Sequence, residues 1–264
     1  MRGKAAVCLM AVLMFIMEGC GQGKEERRTQ DIRIAAAASL RPVYEEKLIP
    51  LFQKENPDIT VRGVYDSSGR LQAQIEEGLE ADIFMPAARK QMDLLNKEGL
   101  IQRDTLIPLL ENNIVLIVPA KSREKFERFE DVRRAGTIVI GDPDLVPAGS
   151  YAKEVLENLG IWEEISAKAS FGTNVTEVLN QVAEGSADAG FVYATDARGM
   201  KNKVKVMAEA PEGMLSEPVI YPVAMIKESE HEEAAKRFLE FLQTKEALCA
   251  FEAYGFVRNT AEKE

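Results

Sequence analysis

The stretch IRIAAAASLRPVYEEKLIPLFQKE, Ile32–Glu55, changes character once, and that change decides the fold. Ile32–Ala38 is small and apolar, as expected of a buried strand. From Leu40 a helix is expected to run to about Glu55, with Pro42 in its first turn, where a missing amide hydrogen costs little. Ser39 stands at the junction. The first amides of a helix have no intrahelical partner, and the macrodipole puts partial positive charge there. Such an end can hold an anion without any basic residue.

Three further junctions share this chemistry: DSSG at Asp66–Gly69, VPAG at Val146–Gly149 and TNVTE at Thr173–Glu177. Gathered in one place, the four would form a cage of neutral donors for a small oxyanion. Each also has a plainer reading. Ser39, Ser67 and Ser68 suit ordinary N-caps, and Asn174 with Glu177 three residues on resembles a capping box. VPAG is harder to read that way, because Pro147 and Gly149 both leave the backbone accessible.

Outward from these junctions, strands and helices alternate. Strands are expected at Ile59–Val64, Ala81–Met85, Asn113–Val118, Thr137–Gly141, Ala187–Tyr193, Val204–Met207 and Ile220–Lys227. Helices are expected at Leu71–Gly78, Arg89–Glu98, Ala148–Leu159 and Val175–Glu184, with two more between His231 and Ala253. The alternation argues an α/β architecture with mainly parallel sheets. No Gly/Ser linker divides the chain, so two lobes joined by crossing strands are expected. The boundaries are set at 31–112 plus 224–264 for one lobe and 113–223 for the other.

The chain has 264 residues, 46% of them hydrophobic, and a formal net charge of −10. That balance argues against a nucleic-acid partner, which would need a basic face. It also means that net charge does not draw in an anion. At the N-terminus, Arg2 and Lys4 precede an apolar run, Ala5–Met17, of signal-peptide length. The run ends at Glu18-Gly19-Cys20, which resembles a bacterial lipoprotein signal over 1–19 with Cys20 as the lipidated residue. The alternative is an ordinary cleaved signal in which Cys20 is incidental. Residues 20–30 read as a polar tether. Cys249, in an apolar helical pattern, reads as a small core residue.

Enzymatic chemistry finds little support, and no catalytic residue is expected. The single histidine, His231, sits among Glu230, Glu232 and Glu233 and reads as solvated. There is neither a G-x-S-x-G elbow nor a G-x-x-x-x-G-K-[ST] phosphate loop. Trp162 reads as a packing anchor after a helix.

The segments AAASL, DSSGRLQAQIEEGLEADIF, GDPDLVPAGSYAKEVLENLG, FVYATDA and YPVA resemble, in order and spacing, the periplasmic molybdate-binding proteins of ABC importers. The resemblance runs from about Ile32 to Phe256. It implies a two-lobed periplasmic-binding-protein fold with mixed sheets and a cleft between α/β lobes. It also implies a ligand shell of Ser39 and Ser68 (hydroxyl and amide), Ala148 and Val175 (amide) and the Tyr193 hydroxyl. The bound species would be molybdate or tungstate, with molybdenum held only inside the oxyanion and no direct protein–metal ligand. No cofactor is implied. The partner would be an ABC permease, and the protein an extracytoplasmic, lipid-anchored monomer. Sulfate or another tetrahedral oxyanion is the rival ligand. Where many relatives have a small residue, this chain has Asp66, whose carboxylate is expected to face away from the anion. Arg70 is expected to point to solvent.

Overall fold

The computed structural model describes residues 30–260, and the expected signal, Cys20 and nearly all of the tether lie outside them. Two mixed sheets form the frame. The first has strand order β11 (Val257–Arg258), β4 (Ile107–Asn112), β10 (Val219–Met225), β3 (Ile83–Met85), β1 (Gln30–Ala37), β2 (Ile59–Asp66); the second has β7 (Ala169–Gly172), β6 (Ile138–Gly141), β8 (Ala189–Tyr193), β5 (Ile114–Pro119), β9 (Val204–Glu209).

In the first sheet, β1 (Gln30–Ala37) runs parallel to β2 (Ile59–Asp66) and β3 (Ile83–Met85). Its alternate residues serve two cores. Ile32, Ile34 and Ala36 face the larger core with Tyr44, Phe52 and Phe238, while Ala35 faces a smaller one with Leu71, Phe84 and Leu95. Helical residues 38–55 follow directly, beginning as a 3-10 turn at Ala38–Leu40. The helices Glu232–Leu242 and Lys245–Ala253 close this half: Phe52 meets Phe238 edge-on at 4.8 Å, and Tyr44 meets Phe251 at 6.1 Å.

The chain leaves the first sheet at the end of β4 (Ile107–Asn112) and enters the second through β5 (Ile114–Pro119). In that sheet β6 (Ile138–Gly141) is parallel to β7 (Ala169–Gly172) and β8 (Ala189–Tyr193). β5 is antiparallel to β8 and to β9 (Val204–Glu209). The return crossing spans residues 210–218, before β10 (Val219–Met225). Every residue of β10 is buried, and the strand pairs antiparallel with β3 and β4.

The structure departs from the sequence-based expectations at four points. A boundary between 223 and 224 would cut β10, which belongs whole to the first sheet. The sheets are mixed, as the resemblance implies and not mainly parallel as the alternation suggests, because the strands entering and leaving each half run against their neighbours. β4 carries no strand pattern in the sequence because Pro108 interrupts it; it pairs with β10 across a register shift at Tyr221/Pro222. Cys249 is exposed, since Ala247, Leu248 and Phe251 define the buried face of its helix.

Candidate functional site

Parallel strands of both sheets direct their C-terminal ends to one place, where open α/β sheets characteristically hold ligands. β1 ends at Ala37 before Ser39, and β2 at Asp66 before the Ser68–Glu76 helix. From the second sheet, β6 leads through residues 142–146 to the Pro147–Asn158 helix. β7 leads to the Val175–Ala183 helix, and β8 ends at Tyr193. The local sequence explains each start. Pro147 occupies the first helical position, and Asn174 accepts from the Glu177 amide at 3.0 Å while Glu177 Oε2 accepts from the Thr173 amide.

The structure brings Ser39, Ser68, Ala148, Val175 and Tyr193 together around a single small cavity. Ala37, Ala38, Asp66, Ser67, Ala87, Val146 and Pro147 complete its lining. The cavity is tight, about 10 Å³, which leaves no space for a sugar or an amino acid. The lining contains no lysine or arginine.

Neither ligand-candidate serine is a helix cap. The cap positions before them are Ala37 and Ser67, and Ser67 makes no capping bond. Instead, each serine oxygen is engaged from behind. The Ala87 amide donates to Ser68 Oγ at 3.0 Å, and the Tyr221 hydroxyl lies 3.0 Å from Ser39 Oγ. Asn112 Nδ2 donates in turn to Tyr221 Oη at 3.2 Å and to Thr195 Oγ1 at 2.9 Å. The Tyr193 hydroxyl donates to the Ala87 carbonyl at 3.4 Å, from one half of the molecule to the other. Burial holds the Tyr193 and Tyr221 hydroxyls well above the usual phenol range, so both stay protonated. Ser67 Oγ is buried without a partner.

Two carboxylates stand close by. Asp66 belongs to the lining after all, but its carboxylate is engaged: Oδ1 accepts from the Ser67 amide at 2.7 Å, and Oδ2 lies 3.8 Å from Arg70 Nη1. Arg70, half-exposed, sits outside the lining. Asp196 Oδ2 accepts from the Tyr193 amide at 3.3 Å, and burial pushes its carboxyl up to about 7.

The halves meet in this region. The Gly69 amide donates to the Leu145 carbonyl at 2.9 Å, and a Cβ on Gly69 would sit 2.7 Å from that oxygen. Gly149 has a packing reason: a Cβ there would lie 1.9 Å from the Gly141 carbonyl oxygen, so the residue lets its helix rest on the end of β6. This replaces the reading of Gly149 as backbone opened toward a ligand. His231 is remote from the cavity. Its Nδ1 lies 3.3 Å from Asp82 Oδ1, beside the N-terminal end of β3. Tyr221, Asn112 and Ala87 carried no local signal; only YPVA contained one of them, as part of a resemblance.

A family model described as bacterial extracellular solute-binding protein matches residues 32–257. YvgL of Bacillus subtilis, described as an ABC transporter substrate-binding lipoprotein, is 36% identical over 96% of this chain and 98% of its own length. The molybdate-binding protein ModA of Escherichia coli is 34% identical over 93% of this chain and 95% of its own. Among solved structures, a substrate-binding domain assigned to a molybdenum ABC transporter of Clostridium difficile superposes with a TM-score of 0.67 at 36% identity. That match covers 87% of this chain and 99% of the other.

Proposed function

The chain belongs to the bacterial extracellular solute-binding protein family, and we propose that it captures molybdate outside the cytoplasm and delivers it to an ABC permease. The observation that carries this reading is the convergence of five donor positions on one small cavity. In it, Ser39 and Ser68 offer hydroxyls and first-turn amides, Ala148 and Val175 offer first-turn amides, and Tyr193 offers its hydroxyl. Molybdate is fully deprotonated at neutral pH, so it accepts on every side and has no proton to give. Hydrogen bonds to a charged group contribute about 1.5–3 kcal/mol each. Several together can offset desolvation of the anion and closure of the halves.

Tungstate, nearly equal in size, is expected to bind alongside. Sulfate is the competing reading within this class: it has the same charge and shape in a smaller ion, and the fit of the cage decides between them. The residues of the cavity supply donors, with no nucleophile–base pair among them, which suits capture and release without turnover. Relatives of the family are transport proteins. Lipid anchoring at Cys20 and a monomeric state complete the proposal.

Isothermal titration of the signal-free protein with molybdate, tungstate, sulfate and phosphate tests it. Tight binding of molybdate and tungstate, with sulfate and phosphate far weaker, is the expected result. Tighter binding of sulfate than molybdate would transfer the function to sulfate uptake.

A further inference from the structure

We propose that Tyr221 is a positioning residue which, with Asn112 behind it, locks the Ser39 hydroxyl as a donor into the cavity, so that the site selects oxyanions without a proton. This rests on the oxyanion-capture reading above and adds a selectivity that cage size does not supply.

Asn112 Oδ1 accepts the Asn113 amide at 2.9 Å, which fixes the orientation of the side-chain amide. Nδ2 therefore faces the other way, and its two hydrogens go to Thr195 Oγ1 and Tyr221 Oη. Having accepted, Tyr221 has one proton to give, and Ser39 Oγ lies 3.0 Å away. Tyr193, edge-on to Tyr221 with ring centroids 5.5 Å apart, also neighbours the Tyr221 hydroxyl, and its long 3.4 Å reach to Ala87 O leaves its proton able to turn to Tyr221 or into the cavity. Assigning the Tyr221 proton to Ser39 Oγ makes Ser39 the acceptor of that bond, and its own proton is left to point into the cavity it lines.

All four links are buried: Tyr221 is fully enclosed, and Ser39, Asn112 and Thr195 are at most 7% exposed. Reversing one bond would reverse the chain. An ion with no proton gains from a fixed donor. Hydrogen phosphate needs an acceptor for its proton, and a locked Ser39 does not offer one.

A double-mutant cycle on the signal-free protein tests this, with molybdate, sulfate and phosphate titrated at mildly alkaline pH, where all three are dianions. Failure of the wild type to bind any of the three overturns the functional reading itself; binding by the wild type makes the cycle a test of this inference alone. Tyr221→Phe should weaken molybdate and sulfate in parallel by about threefold to tenfold. The cost of Ser39→Ala should then be at least about threefold smaller in the Tyr221→Phe background than in the wild type. Discrimination of molybdate against phosphate should fall by at least about fivefold, because the freed Ser39 hydroxyl can turn and accept. Independent costs, or unchanged discrimination (phosphate still undetectable included), would overturn the proposal and leave Tyr221 a packing residue. Should Tyr221→Phe not fold, Asn112→Asp carries the test. A carboxylate there makes Tyr221 donate backwards and Ser39 donate to Tyr221, so discrimination should fall again. Charge repulsion is common to the dianions and leaves that ratio unaffected. An unaltered ratio in Asn112→Asp overturns the proposal equally.

Discussion

A serine oxygen that already accepts one bond from the protein has its proton free for something else, a property that Ser68 shows and that the proposed direction of the Tyr221 bond gives to Ser39. Ala87 N–H engages Ser68 Oγ, and the Tyr221 hydroxyl engages Ser39 Oγ. Because neither serine caps its helix, substitution separates binding from stability. Ser39→Ala or Ser68→Ala should cost about 1.5–3 kcal/mol of binding, one to two decades in affinity, with the fold intact. Calorimetry and thermal melting on the same samples check this; a fall in melting temperature with unchanged affinity would return the serines to a structural role. Arg70 supplies the opposite case. It lies outside the lining, 40% exposed, and pairs with Asp66. Arg70→Gln should leave molybdate affinity within about fivefold, and affinity should fall only modestly with salt, since dipoles in a closed cavity are poorly screened. Loss of two decades or more in that variant would mean that a formal charge holds the anion.

At the scale of elements, the site is a set of strand ends followed by helix starts, and what lies just behind them tunes the protein. The Ala194–Gly199 helix begins directly after Tyr193, and Asp196 in its first turn holds the Tyr193 amide. Burial raises that carboxyl from an ordinary 3.8 to about 7, so between these values the folded chain binds a proton that the unfolded chain has released. The sign follows: this contribution to stability is fully present below about pH 4, is lost as pH rises toward 7, and stays lost above it. Asp196→Asn keeps an acceptor for the Tyr193 amide and removes the ionisation. Solvent reaches the residue in part, which limits the effect. The variant should be more stable than wild type at neutral pH by about 2 kcal/mol, with the gap closing toward pH 4. Denaturant unfolding across that range is the measurement, and parallel stability curves for the two proteins would contradict it.

For the whole molecule, the halves close through backbone as well as side chains. Gly69 N–H to Leu145 O joins the Ser68–Glu76 helix of one half to the loop before Pro147 of the other, and only a glycine permits that approach. Gly69→Val should hold the halves apart while leaving each core untouched. Molybdate affinity should drop by about tenfold or more, and small-angle scattering should no longer detect contraction on adding the anion. Wild-type affinity in that variant would mean that closure does not depend on this contact.

Local physics made much of this legible without coordinates. Apolar periodicity marks β1, β5, β6 and β8, and Pro147, Asn174 and the serine-bearing junctions mark where helices begin, because these signals are complete within a few residues. The five candidate donors were placed by those signals together with the resemblance. Tertiary structure alone decided what depends on distant partners. Ser39 and Tyr221 are 182 positions apart, and Asn112 and Tyr221 are 109 apart, so no window of sequence joins them. The ownership of β10 followed from its pairing with β3 and β4, not from its composition, which suits either sheet. Cys249 went outward because its helix turned a neighbouring face to the core. Sequence determines where donors stand along the chain; only tertiary packing of distant strands behind them determines which groups engage their oxygens.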